Sequence, residues 1–154
     1  HQVLSVLTLN QLSRIFEERK GYDLRRMIAG SERLLDSLAQ AMDQDPGSYM
    51  LSAVRVLPMN STLRDSVSSV IKQHCSKAQN IVFALLIANN QLITLVRMKK
   101  YFIHPADLHL IFNLVNSSES FKLSESWTPI CLPKFDSRYY SYTLFEKSNF
   151  CSKI

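Results

Sequence analysis

Glycine is scarce in this chain: Gly21, Gly30 and Gly47 are its only three, and none lies near another. A phosphate cradle needs clustered glycines so that backbone amides can close around the anion, so no glycine-rich nucleotide loop is available. Long apolar runs are also missing. No stretch approaches the ~20 residues that a helix needs to cross a bilayer. Cysteine is sparse and odd in number, with Cys75, Cys131 and Cys151 free of any CxxC spacing. Reduced intracellular thiols are the expected state, with a structural disulfide as the lesser alternative. An initiator Met, a basic leader and a signal-type apolar core are all lacking, which predicts a fragment and not a natural N-terminus.

Acid–base and metal chemistry is equally thin. His104, Asp107 and His109 share one short segment, but the two histidines are five apart, whereas metal pairs on a helix sit four apart. His104 is therefore expected at a helix start. His74-Cys75 stands alone without further ligands. No catalytic residue, cofactor-binding residue or metal ligand is assigned, and no covalent chemistry is expected.

What is present is ordinary globular material, with 46% hydrophobic and 20% charged residues among 154. A compact fold of this size buries roughly 70% of its unfolded surface. The net charge of +5 is uneven. Between Pro46 and Ala106 lie Arg55, Arg64, Lys72, Lys77, Arg97, Lys99 and Lys100 against Asp65 alone, so that stretch carries +6 and the remainder −1. A solvated face accounts for such a bias, and so does contact with anionic headgroups or an acidic partner. Arg97, Lys99 and Lys100 are the candidate contact residues. Interleaved aromatics of a nucleic-acid platform are absent from the basic stretch, so no nucleic-acid partner is expected.

The pattern along the chain begins helical. Leu4, Leu7, Leu12, Ile15 and Phe16 give His1–Arg19 a helical pattern. Thr8 and Gln11 in capping-box relation predict a second helix restarting near Leu9 after a short break, with Gly21 closing the segment. Asp23 is expected to cap a further helix carrying Leu24, Met27, Ile28, Leu35, Leu38 and Met42 on one face. Gly30 inside it predicts close packing or a kink, at a cost of about 1 kcal/mol against Ala. Asp45-Pro46-Gly47-Ser48 reads as the strongest turn and as a domain boundary. Tyr49–Leu57 is open between strand and helical turn. Asn60 or Ser61 caps a helix with Leu63, Val67, Val70 and Ile71 on one face.

Two β-branched apolar runs then flank Asn89-Asn90, which predicts a hairpin covered on both faces. Pro105 at a first helical position, Asp107 at the positive end of the dipole, and Leu108, Ile111, Phe112 and Val115 at helical spacing predict the next helix, with Leu110 and Leu114 widening its apolar face. Trp127–Leu132 follows as a strand ended by Pro133, with Trp127 expected as an aromatic anchor in the core. Pro129 and Pro133 place that strand at an edge or keep it short. The order strand, strand, helix, strand opens a longin-type α/β domain.

Three segments carry a resemblance: Leu24–Leu38, Asn89–Phe121 and Trp127–Arg138, above all His104–Leu114 followed by Trp127–Phe135. They resemble the Mon family of vacuolar-fusion proteins, over about His1 to Arg138. The resemblance implies an α/β (α+β) fold of longin-like domains. Residues 1–48 would be the closing helices of a first longin domain, 49–138 a partial second one, and 139–154 a divergent tail. It further implies a subunit that pairs with the Ccz protein as a guanine-nucleotide exchange factor for a late-endosomal Rab GTPase. Such a subunit works in the cytoplasm, peripherally on late endosomes and lysosomes. A non-catalytic scaffold or partner-binding fragment is the alternative.

Two departures from the family pattern stand out. The strands of the first domain would lie upstream of His1. After Arg138 a Gly-aromatic-aromatic strand is replaced by Tyr139-Tyr140-Ser141-Tyr142-Thr143-Leu144-Phe145. That tail either fills the slot of the missing strand or is a divergent end with no fixed place; the second is the preferred expectation. Leu85, Leu86, Ile93 and Leu95 would then leave apolar strand edges exposed.

Overall fold

The computed structural model describes residues 6–51, 53–78, 81–98, 100–117 and 126–145. Helix α1 (Leu9–Glu18) starts where the sequence says it should. The Gln11 amide donates to Thr8 Oγ1 at 3.3 Å, and the Thr8 amide donates to Gln11 Oε1 at 3.0 Å. This reciprocal pair satisfies two amides that the helix itself leaves unbonded. Gly21, at φ +83°, turns the chain out of α1.

The helix expected from Asp23 is two pieces instead of one. Asp23 caps a single 3-10 turn, Leu24–Met27, and the chain then breaks before α2 (Glu32–Gln44). The break is at Gly30, held at φ +91°. No atom lies within 4 Å of where its Cβ would be. Gly30 therefore serves a backbone turn and not a close approach. Leu38 is buried, whereas Met42 is exposed and leaves the predicted core face.

The turn at Asp45 ends α2, but Pro46 also opens α3 (Pro46–Leu51), because a first helical position needs no N–H. Beyond α3 the chain is extended, and Val56 forms a parallel bridge with Leu92. Tyr49–Leu57 is thus helical at one end and strand-like at the other. Asn60 caps α4 (Ser61–Cys75), its side chain accepting from the Thr62 amide at 2.9 Å. The buried side of α4 is rotated from the expected one: Val67, Ser68, Ile71 and Cys75 turn inward, while Leu63 and Val70 are exposed.

The hairpin β1 (Phe83–Ala88) and β2 (Gln91–Arg97) forms as predicted around Asn89 and Asn90, at φ 49° and 58°. Asparagine tolerates these left-handed values, which primed hairpin turns demand. Its two faces meet different helices. Thr94 is buried, with its hydroxyl 2.6 Å from that of Ser68 on α4. Leu85, on the opposite face, packs on the core of α5 (Pro105–Ser117) and β3 (Ser126–Leu132). That core is Ile111, Ile130 and Leu132, with Ile103, Leu114, Val115 and Phe135 around it. Each such fully buried side chain contributes roughly 1.5–3 kcal/mol relative to exposure.

β3 pairs antiparallel with β4 (Asp136–Phe145), Trp127 opposite Leu144 and Ile130 opposite Ser141. Tyr139–Phe145 therefore has a fixed place along β3, contrary to the preferred expectation for the tail; residues 146–154 lie outside the described residues. Trp127 is a second correction. It is 69% exposed, and Ile130, at 2%, is the anchor of this strand. Strand parity explains the difference, since Trp127 and Pro129 share the outer face. Leu85, Leu86, Ile93 and Leu95 are half-buried.

Candidate basic and aromatic surface

The loop that leaves β2 and enters α5 gathers the one surface that the sequence singled out. Arg97 is exposed at the end of β2, and the Met98 amide donates to the Val82 carbonyl at 2.9 Å, carrying the hairpin pairing one residue further. Lys100 is exposed, and Lys99 lies outside the described residues. Two aromatics follow. The Arg97 guanidinium stands 4.5 Å from the ring centre of Phe102, a ring that is 76% exposed. The ring's negative face attracts the cation and covers its planar group, while the rest of the guanidinium stays free to donate. Tyr101 meets Phe135 edge-on at 5.6 Å, and Phe135 meets Phe83 at 5.9 Å. The aromatic edge of the surface is in this way tied to the core.

This arrangement supplies positive charge beside an apolar, exposed ring. It suits an anionic, partly apolar surface and offers no reacting group. Tyr101 and Phe102 were missed in the sequence because they fall in a loop, where no period marks them. Their signal was adjacency to Lys99 and Lys100.

The start of α5 fixes this loop from behind. His104 Nδ1 accepts from the Ala106 amide at 3.1 Å, the helix-start role expected of it. Asp107 is fully buried, and its carboxylate accepts from the Lys134 amide at 3.0 and 3.1 Å and the Phe135 amide at 2.8 Å. Burial pushes this carboxyl above the usual carboxylate range, against the pull of the two amides. Sequence reading placed Asp107 on the helix dipole alone; its grip on the β3–β4 turn is a tertiary feature that spacing does not encode.

His109 lies one turn further along α5 and is held below the usual imidazole range by burial, with the Ala53 backbone hydrogen bond acting the other way. His104, Asp107 and His109 do not converge, and no group of three potential metal ligands is found among the described residues. Cys75 and Cys131 carry free thiols; burial, with Asp107 and Asp136 adding, pushes the Cys131 thiol up. No helix among the described residues is long and apolar enough to cross a membrane.

Comparison with known sequences decides the family. The second longin domain of FUZ, MON1 and HPS1 matches residues 79–152, and the first longin domain of the same proteins matches residues 1–38. The chain belongs to the longin-domain family of FUZ, MON1 and HPS1. Vacuolar fusion protein MON1 homolog A of Gallus gallus is 53% identical over 137 residues, covering 89% of this chain and 24% of the relative. Its Homo sapiens counterpart is 52% identical over 136 residues, covering 88% and 20%, and Protein SAND of Takifugu rubripes is 53% identical, covering 88% and 26%. The chain spans about a quarter of the length of these relatives. The longin-like α+β class expected from the sequence is the class observed. In family terms, α1 lies within the first-domain match, which ends inside α2; the second-domain match contains both hairpins and α5. The MON1 relatives carry the name vacuolar fusion protein.

Proposed function

We propose that this chain is part of a subunit of a guanine-nucleotide exchange complex that activates a late-endosomal Rab GTPase, with the Ccz protein as its partner subunit. The identity to MON1 homologs across nearly nine-tenths of the chain carries this reading. Residues 1–48 are assigned to the closing helices of a first longin domain and 49–138 to a second, with 139–154 following as its tail. Work in the cytoplasm, peripherally on late endosomes and lysosomes, follows from that role.

Exchange of this kind needs no nucleophile. A surface that binds the nucleotide-free GTPase better than the loaded one speeds release by differential affinity. Release of a fluorescent guanine nucleotide from the Rab, measured with the Ccz subunit and with or without this chain, tests the reading. Acceleration supports an exchange role for this piece; unchanged release in an assembled complex supports the scaffold alternative.

A second reading concerns the surface of Arg97, Lys99 and Lys100. The exposed Phe102 ring under Arg97 favours contact with anionic membrane, where a charge and an apolar ring are both accommodated.

A further inference from the structure

The segment between α2 and α4 is a strap; besides the Arg64 guanidinium of α4, which donates to its Leu57 carbonyl at 2.5 Å, two contacts among the described residues hold it to α5 and β2. At the first, Tyr49 of α3 rests on two side chains one turn apart on α5. Its ring meets His109 edge-on with centroids 5.0 Å apart, and its hydroxyl lies 3.4 Å from Asn113 Oδ1. The His109 ring is also hydrogen-bonded to the Ala53 backbone. At the second point Leu92 of β2 donates to the Arg55 carbonyl at 2.8 Å and accepts from the Leu57 amide at 2.9 Å. That single bridge is the only pairing of this segment with β2 among the described residues.

Two buried nitrogens at the first point, His109 Nε2 and Asn113 Nδ2, have no hydrogen-bond partner among the described residues. In the neutral imidazole, with its N–H bonded to Ala53, Nε2 presents only a lone pair. Protonation turns that same buried atom into a charged donor with no acceptor. An unpaired buried charge costs far more than an unused lone pair.

We propose that protonation of His109 releases the strap, residues 46–51 and 53–57, from α5 and with it the Val56 bridge from β2. The device is independent of the exchange-factor reading. Among the described residues no acceptor is bonded to Nε2 to take the added proton. Tyr49 faces the ring from α3 as a neutral phenol. On α5 the Asp107 carboxylate is taken up by the Lys134 and Phe135 amides, and His104 by the Ala106 amide. Asp45, at the end of α2, pairs with Arg55 at 3.0 Å. From β1 and β3 the side chains packed on α5 are apolar, Leu85 and Ile130. Burial and the Ala53 bond are what act on His109, and burial is the larger.

The direction follows from the lowered imidazole. The docked strap is fully favoured above the ordinary value of about 6.5 and loses that support as pH falls below it through the lowered value. Release would uncover the edge of β2 at Leu92, a backbone template for another strand. It would also free Met50 and Leu51, already 86% and 79% exposed.

Amide hydrogen exchange on the 154-residue chain at pH 7.5 and 5.5, corrected for intrinsic rates, tests this. Protection over residues 46–51 and 53–57 should fall by up to about tenfold, the most that one pH unit below the free value of about 6.5 allows. Protection of α4 should hold, and His109→Phe, which keeps a ring against Tyr49 but cannot titrate, should abolish the pH dependence. Unchanged strap protection overturns the proposal, as does an equal loss in His109→Phe or a loss shared by α4. A ring-nitrogen NMR titration of the unmutated chain is the second measure. His109 should titrate below about 6.5, with the strap amides shifting at the same midpoint. An ordinary midpoint, or strap amides that do not follow it, also overturns the proposal.

Discussion

Asp107 holds the β3–β4 turn to the start of α5 by accepting two backbone amides in a place that solvent does not reach. Removing the carboxylate takes the partner from the Lys134 amide, while the Phe135 amide keeps the Leu132 carbonyl at 3.0 Å, so one donor is left unsatisfied at a cost of about 1–3 kcal/mol. Asp107→Ala should therefore lower the unfolding free energy by about 1–3 kcal/mol in urea titration. Asp107→Asn, whose one remaining oxygen can take the position that accepts from both amides, should recover a good part of the loss. Equal stability of the Ala variant and the parent would remove Asp107 from its clamp role. A dipole contribution alone would be worth about 0.3–1 kcal/mol.

At the scale of elements, the loop from β2 to α5 is where charge and aromatic surface meet. Each basic residue near an anionic bilayer contributes about 1 kcal/mol. Arg97→Gln with Lys100→Gln should thus weaken binding to phosphatidylserine vesicles roughly 30-fold at low salt, read by co-sedimentation. Binding to neutral vesicles should be unchanged, and equal binding of parent and variant to anionic vesicles would exclude this loop as the contact. The same scale shows what could be read in advance. The hairpin was legible because Asn89-Asn90 breaks two β-branched runs, and α5 because Pro105, Asp107 and Ile111 mark its start and period together. The Gly30 break was half-legible: the glycine was plain, but periodicity through Leu24, Leu35 and Leu38 carried the predicted helix across it. Leu63 and Val70 fit the helical period yet face outward, since Ser68 meets Thr94 and sets the rotation of α4.

Across the whole molecule, the chain is a hairpin between two helices, with β3 and β4 completing the core on the α5 side and the first helical segment resting against β4. The Tyr140 hydroxyl makes that last connection, 2.8 Å from the Val6 carbonyl and 2.7 Å from Gln11 Oε1. Contacts separated by so many residues leave no local trace, and composition alone accordingly favoured a tail with no fixed place, contrary to its pairing along β3. Trp127 misled for a related reason: its size suggests the core, but only the partner strand and the packing of Ile130 determine which face is buried. The candidate surface was legible as charge, at Arg97, Lys99 and Lys100, and illegible as shape, because Phe102 is placed by a loop.

Membership of an assembly is the central claim, and it can be measured without reference to nucleotide. The chain and the Ccz subunit, co-expressed and resolved by size exclusion, should elute together in a stoichiometric peak distinct from either alone. Separate elution of two folded proteins would contradict the account, and the exchange-complex role would not extend to this chain.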